Sequence, residues 1–197
     1  WATEQGTMIK RVLFGWMLMM LVVGCGGERP GLASGEPAPG FALQRLDGGP
    51  VALEELRGSV VAVRFWADWC PFCRREMREL EPVYQRLHDQ GLEILAVNVG
   101  QDREHVRRFV ERVDYSYPTL LDLDSAVARR FGVIAIPVTY FIDRDGILRG
   151  KIIGESNAAA FERMALPLLH APASLTGASA AAMVKRPAPA APTSEHR

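Results

Sequence analysis

Two rhythms of apolar and polar positions alternate along the chain. Phe41-Ala42-Leu43-Gln44-Arg45-Leu46 alternates with a period of two, Asp47-Gly48-Gly49 is a hairpin turn signal, and Val51-Ala52-Leu53 supplies the returning strand. Glu54 to Gly58 is a short turn or helical piece, and the apolar run from Ser59 to Trp66 reads as a buried strand. The step then changes to three and four. Met77, Leu80, Val83, Tyr84 and Leu87 mark one face of a helix that starts after Cys70 and is ended by Gly91. Pro82 removes a backbone donor and crowds the preceding turn, which predicts a kink there. Leu92 to Val99 is a second central strand. Asp102 is an N-cap for a helix from Arg103 to Asp114, and Leu120-Leu121 is a short strand. Ser125 is the expected cap of a helix from Ala126 to Phe131, stopped by Gly132. Val138 to Ile142 and Ile147 to Ile153 form an antiparallel pair through Asp143-Arg144-Asp145-Gly146. Ser156 or Asn157 caps a last helix that ends near His170.

Ahead of these elements stands a different pattern. Lys10 and Arg11 precede the apolar run from Val12 to Val23, a basic region followed by a short hydrophobic one, as in a secretory signal. The run falls short of the roughly 20 residues that a membrane-spanning helix needs. Val22-Val23-Gly24-Cys25 resembles a bacterial lipoprotein signal, in which Cys25 is lipidated and becomes the mature N-terminus; an uncleaved signal anchor is the alternative. Either one tethers the domain to a membrane outside the cytoplasm. Met8 is the expected start, with residues 1–7 outside the protein proper. The expected organisation is a signal segment (1–24), a lipidated cysteine with a flexible linker (25–40), a folded α/β domain (41–170) and a disordered Ala/Pro-rich tail (171–197).

Composition narrows the classes. The 197 residues are 48% hydrophobic and 23% charged, enough for one domain with a real core. The balance of 23 basic and 23 acidic residues gives no support to a nucleic-acid partner. Three cysteines do not make a disulfide scaffold.

The chemistry concentrates where strand gives way to helix, at Trp66-Ala67-Asp68-Trp69-Cys70-Pro71-Phe72-Cys73. A cysteine at a helix N-terminus meets unpaired N–H groups and the positive end of the macrodipole, which favour its thiolate. The thiolate is the nucleophile. Cys70 is therefore expected to attack, and Cys73, one turn along and within disulfide reach, to resolve. A structural zinc site is disfavoured, because it needs about four ligands and the only other cysteine is Cys25.

These residues carry a resemblance. W-A-D-W-C-P-F-C looks like the active-site stretch of the thioredoxin superfamily. The continuation Cys73-Arg74-Arg75-Glu76 is similar to the membrane-anchored reductases of the cytochrome c maturation group. The resemblance covers Glu36 to His170 and implies a thioredoxin-like three-layer α/β sandwich with an N-terminal β-hairpin extension. It implies a protein-disulfide reductase with no cofactor and no metal, working through a Cys70–Cys73 disulfide. Apocytochrome c, with its C-x-x-C-H disulfide, is the favoured substrate, and a membrane thiol-reductant donor would restore the dithiol. A monomer is expected.

Single residues follow from the same match. Pro137, in Ile136-Pro137-Val138-Thr139, stands where the family has a cis-proline, which would hold the Ile136 backbone ready to pair with a substrate strand. Trp69, Pro71 and Phe72 would rim the thiols and contact substrate, while Trp66 belongs to the core. Glu76, three residues after Cys73 on the same helix face, would exchange protons during disulfide cleavage; read without the resemblance, it is a first-turn glutamate favoured by the dipole. Arg64 departs from the family pattern of aspartate or asparagine. If buried it needs a partner, for which Glu76 and Glu93 are the candidates, or it extends out to water. Arg75 and Arg78 read as the solvated helix face, and the four histidines as surface. Two other readings remain. A peroxiredoxin-type peroxidase shares the opening hairpin but uses a lone cysteine. A copper chaperone on the same fold uses a wider cysteine spacing and a later histidine.

Overall fold

The computed structural model describes residues 32–171. Expectations for the signal segment, Cys25 and the tail beyond Ala171 lie outside the described residues. The strands are β1 (Ala42–Arg45), β2 (Pro50–Ala52), β3 (Val60–Trp66), β4 (Leu92–Val99), β5 (Thr119–Asp122), β6 (Val138–Ile142) and β7 (Leu148–Ile153). The helices are α1 (Cys73–Leu87), α2 (Arg103–Val113), α3 (Ala126–Arg130) and α4 (Ala158–His170).

The strands form one sheet in the order β2-β1-β5-β4-β3-β6-β7. β3 is an interior strand, hydrogen-bonded along one edge to parallel β4 and along the other to antiparallel β6, and all seven of its residues are buried. Its side chains alternate between two cores. Val60, Ala62 and Trp66 meet α1, α2 and α4, whereas Val61, Val63 and Phe65 meet α3, Phe41 and Leu53. This is the expected three-layer arrangement. The β1–β2 hairpin turns through Gly48 and Gly49, both at positive φ, and extends the sheet by pairing β1 with β5.

Two expectations are corrected. Residues 35–38, placed by composition in the linker, pair with the domain. The N–H of Gly35 reaches Leu148 O at 2.8 Å and the N–H of Leu148 reaches Glu36 O at 2.9 Å. A β-bridge joins Pro37 to Ile147. Ser125 does not cap α3. Its φ of 59° turns it into the left-handed region, and the buried Asp122 carboxylate instead accepts the N–H groups of Val127 (3.1 Å) and Ala128 (2.8 Å). Arg78 is exposed, as expected of the solvated helix face, and donates from there to the final carbonyls of α2 at Arg112 and Val113. Asn157, rather than Ser156, caps α4 by accepting Ala160 N–H at 2.9 Å. α1 runs on through Pro82 to Leu87.

Candidate active site

β3 ends at Trp66, and two turns follow the end of the strand before α1 begins. The N–H of Cys70 donates to Ala67 O at 3.2 Å and that of Cys73 to Cys70 O at 3.3 Å. Cys73, not Cys70, is thus the first helical residue, and Cys70 lies immediately ahead of the first turn. The two sulfurs are bonded to each other, with Cα atoms 5.5 Å apart. Both cysteines are buried, so a partner disulfide reaches them only through the surrounding surface.

That surface is apolar and exposed. Trp69 is 69% and Phe72 44% exposed, and Pro71 between the cysteines is exposed as well. Trp66, by contrast, is fully buried against Phe109, their rings 4.7 Å apart, as expected of a core residue. The Ile136–Pro137 peptide bond is cis. Pro137 is buried, Ile136 is half-buried and Ile134 is fully exposed.

Beneath the dithiol lies a buried charge cluster. Arg64 occupies the α1-facing file of β3 between Ala62 and Trp66, and Glu76 lies one helical turn beyond Cys73. Each is 1% exposed. Arg64 Nη2 donates to Glu76 Oε2, and Arg64 Nη1 donates to Thr139 Oγ1 on β6 at 3.0 Å. Of the two candidate partners, Arg64 takes Glu76. The other carboxylate oxygen, Oε1, accepts both the N–H of Ser156 and its hydroxyl, the latter at 2.8 Å. Ser156 lies 80 residues from Glu76 in sequence, and nothing in the local pattern points to it.

A second polar cluster flanks the other side of the turn. Gln101 Oε1 accepts the Asp68 N–H (2.9 Å) and Asn98 Nδ2 (2.8 Å), while Gln101 Nε2 donates to Asp68 Oδ1 at 2.5 Å. His105 contacts Asp68 Oδ2. Burial pushes the Asp68 carboxyl up. The hydrogen bonds from His105 and Gln101, the His105 charge and the Trp69 N–H outweigh it and hold the carboxyl below its ordinary value. His105 therefore belongs to the site's surroundings, not to an unpartnered surface. The missed signal was Asp68, two residues ahead of Cys70 in the same turn. Arg75 pairs with Glu79 and Glu155, and the Arg74 guanidinium lies over the Phe109 ring at 5.4 Å. Among the described residues no cluster of His, Cys, Asp and Glu is arranged to hold a metal ion.

Comparison with known proteins bears on this geometry. Residues 34–151 match the model of the AhpC/TSA family. The thiol-disulfide oxidoreductase ResA of Geobacillus thermodenitrificans is 40% identical over 130 residues, spanning 64% of this chain and 73% of the relative. Its counterpart in Geobacillus kaustophilus is 37% identical over 139 residues, spanning 69% and 78%. A crystal structure of a Chlorobium tepidum protein assigned as thiol:disulfide interchange protein DsbE superposes with a TM-score of 0.66 at 30% identity. It covers 70% of this chain and 99% of its own. The family match over more than half of the chain, together with these relatives and the disulfide at the start of α1, means that the chain belongs to the AhpC/TSA family as a thioredoxin-fold thiol–disulfide oxidoreductase of the ResA and DsbE type.

Proposed function

We propose that this oxidoreductase works as a reductant of protein disulfides outside the cytoplasm, with the C-x-x-C-H disulfide of apocytochrome c as its favoured substrate. The observation that carries the reading is the exposed rim of Trp69, Pro71 and Phe72 around an otherwise buried Cys70–Cys73 pair. Such a rim suits a polypeptide partner, since the few residues that dominate the energy of protein contacts are enriched in aromatic side chains such as tryptophan. Cys70 thiolate attacks one sulfur of the substrate disulfide, forming a mixed disulfide and releasing the other substrate sulfur as a thiolate. Cys73, having given up its proton, attacks Cys70. The substrate leaves with two electrons more and Cys70–Cys73 is oxidised. Glu76, on the face of Cys73, takes the proton of that second step. Ile136, ahead of cis-Pro137, offers backbone to the substrate strand. A membrane thiol donor returns the dithiol, and the domain works as a monomer held to the membrane through Cys25 or an uncleaved signal segment.

The test is a trap. Cys73→Ser should accumulate a mixed disulfide between Cys70 and an oxidised peptide carrying C-x-x-C-H, whereas Cys70→Ser should accumulate none. Equal turnover of that peptide and an unrelated disulfide peptide would remove the substrate assignment and leave the reaction class standing. Changing Cys25 to Ser should release the protein from the membrane fraction; retention with an unprocessed N-terminus would mark a signal anchor instead.

A further inference from the structure

The reading that Glu76 exchanges a proton with Cys73 leaves open how a 1%-exposed carboxylate trades that proton with water. The contacts of Glu76 restrict the answer. Arg64 Nη2 on Oε2 is a donor that cannot accept. The Ser156 N–H on Oε1 is likewise only a donor. The Ser156 hydroxyl on Oε1, at 2.8 Å, is the one contact that can turn round, since a hydroxyl both donates and accepts. A proton arriving on Oε2 would face the guanidinium, whereas a proton arriving on Oε1 can be handed to Ser156 Oγ.

Ser156 also has a way out. It lines an open cleft of about 410 Å³ between α1 and the start of α4, together with Arg75, Glu79, Glu155 and Asn157. The other ionisable groups near Glu76 do not compete. Tyr117 donates its hydroxyl to Met77 O at 2.9 Å, and Tyr115 shares a hydrogen bond with Thr119. Burial holds both phenols above their ordinary value, so they keep their protons while thiols titrate. Arg64 stays charged and fixes which oxygen is free.

We propose that Ser156 is the positioning residue that connects Glu76 to solvent, with Arg64 confining the mobile proton to Oε1. In the resolving step the Cys73 S–H proton passes to the Glu76 carboxylate. The Cys73 thiolate then attacks Cys70, the Cys70–substrate bond breaks and the substrate sulfur departs as a thiolate. Glu76 loses its proton through the Ser156 hydroxyl to water in the cleft, and the departing thiolate takes one from water. The proposal rests on the proton-exchange reading of Glu76.

The experiment measures two steps separately in the reduced full chain. Iodoacetamide alkylation, read at Cys70 by peptide mass so that Cys25 and Cys73 are counted apart, reports the attacking thiol. Acid quenching of the mixed disulfide with a C-x-x-C disulfide peptide reports its resolution. Ser156→Ala keeps the backbone N–H and removes the hydroxyl. It should leave alkylation unchanged and slow resolution about tenfold, the rate equivalent of one lost hydrogen bond. The pH dependence of resolution should flatten with it, and Ser156→Thr should restore rate and profile. Resolution at the parent rate in Ser156→Ala, with Glu76→Gln slowed, would overturn the route and spare the role of Glu76. Parent-rate resolution in Glu76→Gln would overturn that role and the route together. Loss of both steps in Ser156→Ala, unrelieved by threonine, would make Ser156 a packing residue and end the proposal.

Discussion

Arg64 and Glu76 are each nearly inaccessible, so neither charge can fall back on water if the other is removed. A buried pair broken on one side typically costs 3–5 kcal/mol, while replacing both by apolar side chains is close to neutral. Glu76→Gln should therefore lower the unfolding free energy by about 3 kcal/mol, and Arg64→Met with Glu76→Leu should recover most of it. Denaturant titration of the oxidised protein measures both; an additive pair of losses would dissolve the coupling. Asp68 gives a second prediction at this scale. Its folded-state carboxyl lies below the ordinary 3.8, so it contributes stability above that pH. The contribution fades as pH falls through the lower folded value. The stability gap between the parent and Asp68→Asn should be full at neutral pH and close in acid; a gap that persists in acid would show that charge is not its source. The dithiol was legible residue by residue because its chemistry is local, two cysteines three positions apart. The cluster around it was not. Arg64, Glu76 and Ser156 meet only once β3, α1 and the β7–α4 connection are packed, so sequence supplied the demand for a partner at Arg64 and a choice of two, but not Ser156 at all.

Among the elements, period and punctuation located every strand and helix of the described domain to within a few residues, since each carries its own apolar stripe and stop signal. The cap of α3 escaped because capping by Asp122 comes from the end of β5, not from the residue before the helix. Asp122→Ala should remove both hydrogen bonds to α3 and cost about 2 kcal/mol, whereas Ser125→Ala should stay within roughly 0.5 kcal/mol. Thermal melts of the two variants decide between the caps, and a larger loss at Ser125 would reverse the assignment. The pairing of residues 35–38 with β7 escaped for a related reason. Its Gly and Pro content describes a chain without intrinsic preference, and the bonds that order it are made more than a hundred positions away. Glu81 on α1 makes a similar long tie, accepting the Ser116 N–H at 2.8 Å and its hydroxyl at 2.7 Å. Burial raises its carboxyl, these bonds and Gln85 lower it further, and the net value lies below the ordinary 4.5, so this tie too weakens only in acid.

For the molecule as a whole, the buried Arg64–Glu76 cluster and the half-buried Asp68 cluster flank the disulfide, which leaves recognition to what stands proud of the fold. Trp69, Phe72 and Ile134 are among the few large apolar side chains exposed in the described domain, and Trp69 and Phe72 flank the cysteines. A small disulfide reagent needs only access to a sulfur, while a polypeptide must also be held across the rim. Trp69→Ala should then separate the two activities. Burying a tryptophan at the centre of a contact commonly contributes about 2 kcal/mol, which corresponds to roughly thirtyfold in kcat/KM for a disulfide-bonded protein substrate. The loss should appear mainly in KM, because the side chain holds the substrate and leaves the thiols where they are. Reduction of a small aromatic disulfide, and alkylation of Cys70, should stay near the parent rates. Equal losses on protein and small disulfides would mean that Trp69 acts on the reactivity of Cys70 itself, through the turn that carries both, and the rim would cease to be a recognition surface.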